Sequence, residues 1–230
     1  GCLPLPVPTL PAALARAMES LYLAWQPIVH ASGADHFGTE AFARTLEPSL
    51  SAPHALFDAA DRLGRSRALG RLCRRAVAAA LPQLPGEVAF VNVHPSDLGD
   101  DDLVDPSSPL SRGARSVVLE ATDRTPLEDV TNVRGRIRAL RQLGYRIGVD
   151  DVRAGSASLQ RLALVEPDLA KLNPSLVRGL AADDGRRRSV ALMTASLHDL
   201  GIRVVATGVE TAEERDAAAS CGVDHLQGFL

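Results

Sequence analysis

Short apolar runs alternate with stripes of helical period along most of this chain. Tyr22–Val29, Val88–Val93, Ser116–Glu120, Arg146–Asp150, Leu169–Leu172, Arg203–Ala206 and His225–Gln227 read as strands, with a further strand near Phe37–Arg44 after the hairpin-like Ala31–Ala34. Between them, Ala13–Leu21, Pro53–Ala80, Pro126–Leu143, Arg186–Leu200 and Ala212–Ser220 read as helices. The third carries Val130, Val133, Ile137 and Leu140 at spacings of three and four, with Pro126 suited to a first turn. Gly201 is placed to close the fourth. Near-continuous apolar strands separated by amphipathic helices predict a parallel sheet covered by helices. About eight strands favour a closed (β/α)8 barrel over an open doubly wound sheet.

A chain of 230 residues fits one such barrel. The Pro-rich stretch 1–10 is expected to be linker or an expression remnant, and 11–230 the barrel domain; Gly1 in place of Met suggests a segment of a longer protein. A net charge of −3 gives no footprint for a nucleic-acid backbone. Apolar runs are broken well short of about 18 residues, so no contact with a membrane is expected. Cys2, Cys73 and Cys221 have no C-x-x-C spacing, which fits a reducing cytoplasm.

Polar residues interrupt the strands at their C-terminal ends: Glu40, Asn92, Glu120, Asp150, Asp151, Lys171, the Thr207–Glu210 turn and Gln227. In a barrel those ends converge on one mouth, where active sites are built. One acid at a strand end is usually a helix cap. Eight positions gathered from seven strands are not explained that way. Carboxylates plus an Asn form an all-oxygen donor set for hard cations, and adjacent Asp150 and Asp151 repel unless a cation neutralises them. Lys171 is the one Lys among 25 basic residues. A compact ammonium suits point-charge or proton-transfer work that a guanidinium does not. The six His residues lack zinc spacing, and there is no G-x-G-x-x-G, P-loop or Ser nucleophile elbow.

From about Tyr22 to Leu230 the chain resembles the EAL family of cyclic di-GMP phosphodiesterases. Gln26-Pro-Ile-Val29 is similar to Q-P-I-V, and Glu40-Ala-Phe-Ala-Arg44 to E-A-L-x-R. Asn92-Val-His-Pro95 is similar to N-L-S-P, Leu119-Glu120-Ala-Thr122 to L-E-I-T, and Asp150-Asp151 to the D-D pair. Lys171-Leu-Asn173 is similar to K-I-D, Thr207-Gly-Val-Glu-Thr211 to E-G-V-E-T, and Gln227-Gly-Phe-Leu230 to Q-G-Y-L. The resemblance implies an EAL-type barrel with one antiparallel strand and a two-metal site that linearises cyclic di-GMP with Mg2+ or Mn2+. By carry-over, Glu40, Asn92, Glu120 and Asp150 would hold the first metal, and Asp150 with Asp151 the second. Lys171 and Glu210 are the catalytic candidates, and Gln26, Arg44 and Gln227 the nucleotide contacts.

The departures from the family pattern are as telling. Thr207 stands where the family has a metal-binding or basic Glu, Asn173 where it has Asp, Arg153 where it has a loop Gly, and Asp123 where it has a loop-anchoring Glu. Loss of a ligand or base lowers rate by about 10²–10⁴. A degenerate EAL domain is therefore expected, with one metal site or none, serving as a cyclic di-GMP receptor or regulatory interaction domain in bacterial signalling. The partners expected are flanking signalling domains, a partner protein or a second copy. The competing expectation is an active phosphodiesterase that produces pGpG.

Overall fold

The computed structural model describes residues 9–33, 35–121, 131–153 and 155–229. Eight strands close a barrel in chain order: β1 (Leu21–His30), β2 (His36–Thr45), β3 (Val88–Val93), β4 (Val117–Ala121), β5 (Arg146–Val152), β6 (Leu169–Leu172), β7 (Arg203–Val209) and β8 (His225–Gly228). β1 is antiparallel to both β2 and β8, and all other pairs are parallel. A tight turn can join β1 to β2 only because they run in opposite senses. Each parallel pair needs a crossover.

The crossovers supply the outer layer. Helix α1 (Leu10–Glu19) precedes the barrel, and α2 (Pro53–Arg62) and α3 (Ser66–Ala80) join β2 to β3. The single helix expected over Pro53–Ala80 is two, because Gly64 takes a left-handed conformation (φ +62°) at the break. Leu69, Cys73 and Val77 then bury one stripe of α3, each worth about 2 kcal/mol of transfer energy. Short helices α4 (Pro95–Leu98) and α5 (Asp101–Val104) follow β3, and α6 (Val133–Leu143) follows β4. Pro126, Val130 and Asp123, singled out in the sequence, lie outside the described residues. Helices α7 (Ser156–Val165), α8 (Pro174–Val177), α9 (Asp184–Asp199) and α10 (Ala212–Ser220) complete the ring. No helix among the described residues is long and apolar enough to cross a membrane.

Period-two alternation divides each strand between two cores. Outward residues such as Val91, Leu119, Ile147 and Val204 pack under the helices. Inward residues Ile28, Phe37, Val88, Phe90, Val118, Leu169 and Val205 form a separate plug that fills the barrel. Above this plug lies the mouth at the C-terminal ends of the parallel strands; below it lies a second, opposite mouth.

Candidate functional site

One inward step above the apolar plug, the same strands turn polar. Glu40, Asn92, Glu120, Asp150, Lys171 and Gln227 come from six different strands and meet there, as the sequence led us to expect. Glu40 lies mid-strand because β2 runs on past the mouth. Its pairing with β3 ends at Ala41, whereas its pairing with β1 continues to Thr45.

Lys171 is the hub. Its Nζ donates to Glu40 Oε2 at 2.6 Å and to Glu120 Oε2 at 2.7 Å, and sits 4.8 Å from the centre of the Phe90 ring. Glu40 also accepts from Gln227 Nε2 at 2.6 Å and Asn92 Nδ2 at 2.8 Å. Gln227 Nε2 reaches Gln26 Oε1 at 3.2 Å, and Gln26 donates to the Gly228 carbonyl. Lys171 is 1% exposed and Glu120 0%, so the charges must compensate one another inside the protein.

The two carboxylates that share this ammonium are pushed in opposite directions. Burial drives Glu120 well above the usual carboxylate range; Lys171 opposes this while the charges of Glu40 and Asp150 reinforce it. Burial also pushes Glu40 up, but Lys171 and the bonds from Gln227, Lys171 and Asn92 outweigh it and hold Glu40 below its ordinary value. Asp150 is raised, first by burial. Burial works against the Lys171 cation, yet the surrounding carboxylates raise its proton affinity.

The other half of the mouth is arranged differently. Asp151 sits in left-handed backbone (φ +63°) and accepts from Asn173 Nδ2, while Arg153 lies 3.0 Å from its Oδ2. Asn173 also caps α8, accepting from Ser175 N at 2.8 Å. An Asp there would keep the cap but would face Asp151 with like charge. The Thr207 hydroxyl donates to the Leu172 carbonyl at 2.6 Å. Gly208, next in the chain, is left-handed (φ +71°) and packs so close to Pro174 that a Cβ would clash.

Two sequence candidates stand apart from the cluster. Glu210 lies on the exposed rim, 3.4 Å from Arg178, and its amide donates to Glu214. Arg44 stands four residues beyond Glu40 on the same face of β2, about 13 Å up the strand, with its guanidinium 5.3 Å from the Phe42 ring centre and bonded to the Ala43 carbonyl. It belongs to the β1–β2 ribbon that overhangs the mouth. The sequence reading missed Phe90, the ring beneath Lys171, which the parity of β3 places two residues before Asn92.

Do these residues suit a divalent cation? Among the described residues no three His, Cys, Asp or Glu side chains already converge as a cation cage. The donor chemistry nevertheless fits. Glu120 Oε1 is buried without a partner. Glu40, Glu120 and Asp150 face one ammonium, so their full ionisation leaves negative charge in excess.

Known proteins resemble this chain in sequence and in fold. Two Pseudomonas aeruginosa proteins, the cyclic di-GMP phosphodiesterases RocR and PA2567, are 29% and 27% identical over 90% and 96% of this chain. The chain spans 55% and 40% of their lengths. A solved structure of Klebsiella pneumoniae BlrP1, in complex with calcium and cyclic di-GMP, superposes with a TM-score of 0.78 at 30% identity, covering 91% of this chain and 54% of that one. The EAL domain model matches residues 10–230, and the chain belongs to the EAL domain family.

Proposed function

We propose that this domain binds cyclic di-GMP at the acidic mouth and hydrolyses it very slowly or not at all, acting as a receptor or regulatory module in second-messenger signalling. One observation carries the reading. At position 207, where the family resemblance calls for a metal-binding or basic Glu, the side chain is a Thr whose hydroxyl is bonded to the Leu172 carbonyl. Glu210, the nearest acid in sequence, is out on the rim with Arg178.

Glu40, Asn92, Glu120 and Asp150 would hold one divalent cation, Mg2+ or Mn2+. Such a cation supplies charge neutralisation at a phosphodiester. Asp151, the candidate for a second site, is engaged by Asn173 and Arg153. On the ligand side, Gln26 and Gln227 line the mouth, and Arg44 overhangs it with a guanidinium suited to a phosphate or a guanine edge.

An active phosphodiesterase is the second reading, favoured by the complete first donor set around Lys171. Calorimetric titration with cyclic di-GMP, with and without Mn2+, followed by product analysis, separates the two. Saturable binding with intact ligand after hours supports a receptor. Stoichiometric release of pGpG within seconds establishes the enzyme. No binding in either condition removes both and leaves a protein-interaction module.

A further inference from the structure

The opposite mouth of the barrel is polar too, and its chemistry is the reverse. The same alternation that aims Asp150, Thr207 and Gln227 at the acidic mouth aims Arg146, Arg203 and His225 at the other end of β5, β7 and β8. His225 is 2% exposed, and neither of its ring nitrogens has a hydrogen-bond partner among the described residues. Its ring stacks on Phe37 (centroids 3.6 Å apart, planes 8° apart) and meets His30 edge-on at 5.0 Å. The Arg203 guanidinium lies 5.1 Å from the same Phe37 ring centre.

Neither Arg146 nor Arg203 makes a hydrogen bond or close ion pair with another described residue. They are near enough to repel: after burial, Arg203 is the main influence lowering the proton affinity of Arg146. The acids around them are Glu87, Asp168 and Asp224. Asp168 is engaged by the Ile147 amide at 2.8 Å and by Arg141 at 3.5 Å. Asp224 accepts from the Val204 amide at 2.7 Å and from His198 at 2.8 Å. Of the three acids only the exposed Glu87 has a carboxylate with no hydrogen-bond partner among the described residues, and none of the three bonds to either guanidinium or to the imidazole.

The half-buried guanidiniums carry N–H donors and no acceptor, and the one N–H of a neutral His225, buried without an acceptor, costs about 1–3 kcal/mol. A compact oxyanion carries only acceptors, and guanidinium grips it bidentately. We infer that this mouth binds a compact oxyanion of the phosphate class, free or as the terminal group of a phosphomonoester, between Arg146 and Arg203 with His225 as a further donor. This site is separate from the acidic mouth and does not rest on the cyclic di-GMP reading.

The test is calorimetric titration of the 230-residue chain with inorganic phosphate at constant ionic strength, and in parallel with methyl phosphate. Saturable binding and a rise in Tm are expected. Arg146→Gln and Arg203→Gln should each weaken binding at least tenfold, and Arg146→Gln, which removes a repulsion without removing a ring contact, should not lower Tm in phosphate-free buffer. The 15N resonances of the His225 ring should shift on adding phosphate. Equal affinity for both ligands marks a phosphomonoester site; binding of inorganic phosphate alone marks a free-ion site. Arg146→Lys keeps the charge without the fork and should weaken binding less than Gln, which tests the site should the Gln variants fold poorly. The inference falls if phosphate does not saturate, if both Gln variants bind as tightly as the parent chain, or if cyclic di-GMP displaces the phosphate.

Discussion

The two mouths of this barrel are built from the same strands, a few residues apart, and they solve burial in opposite ways. β5 presents Asp150 at one end and Arg146 at the other, β7 Thr207 and Arg203, β8 Gln227 and His225. In both places burial is the first influence on proton affinity, raising Glu120 and Asp150 and lowering Arg146 and His225. At the acidic mouth most of the cost is met internally, with Lys171 joining two carboxylates and Gln227 and Asn92 completing the coordination of Glu40, and Glu120 Oε1 left over for a cation. At the basic mouth it is not met, and the two ring nitrogens of His225 stand without hydrogen-bond partners among the described residues. A satisfied buried network fixes a geometry, whereas an unsatisfied one asks for a ligand.

The contrast can be broken most forcefully at its hub. Lys171→Met removes the cation that Glu40 and Glu120 share and leaves buried carboxylates facing one another. Breaking a buried pair in this way costs about 3–5 kcal/mol, read by urea denaturation in metal-free buffer. Adding Mn2+ should restore part of the loss, since a divalent ion bound only by the folded state stabilises it. A loss below about 1 kcal/mol would mean that the carboxylates are already neutral and that the hub is not electrostatic.

Next in size is a change to the other half of the acidic mouth, which the proposed function takes as impaired. Thr207→Glu with Asn173→Asp restores both carboxylates beside Asp151, and pGpG formation with Mn2+ should rise by about 10²-fold or more. Arg153 is the obstacle, because its guanidinium already holds Asp151. Adding Arg153→Gly to the pair should therefore raise the rate further. Turnover by the unaltered chain equal to that of the repaired one would show that the site was never impaired.

Much of the acidic mouth was legible because its residues break strand patterns in a fixed order. β3, β6 and α10 fall where the alternation placed them, and Glu40, Asn92, Glu120, Asp150, Lys171 and Gln227 meet as expected. The placement of Glu210 and Arg44 was not legible. Which way a side chain leaves the Thr207–Glu210 turn depends on the left-handed Gly208 packed on Pro174, and how far β2 overhangs depends on pairing with β1 alone. Helix α7 was missed although its apolar residues favour one face more than those of α9 and α10 do. The basic mouth was missed for another reason. Arg146 and Arg203 open their strands, where a charged residue reads as a solvent-facing end, and only the closed barrel turns both inward.

The smallest expected effect isolates the basic mouth by removing its most buried polar group. His225 has its pKa lowered to about 4, by burial first and then by the positive charges of Arg203, against which Asp224 works; His30 and Arg146 lower it further. A base held neutral in the folded state but free to protonate near 6.5 when unfolded makes the unfolded chain bind more protons between those values. Stability contributed by this group is therefore present above about pH 6.5 and drains away as pH falls toward 4. His225→Phe keeps a ring against Phe37 and removes two nitrogens that have no partners. In phosphate-free buffer at pH 7 it should stabilise the chain by about 1 kcal/mol. Between pH 6.5 and 4.5 its unfolding free energy should fall less steeply than that of the parent chain. Urea denaturation at several pH values reads both effects. Destabilisation at pH 7 together with an unchanged acid slope would mean that the imidazole is already satisfied by a bound partner, and that the two mouths differ less than their side chains imply.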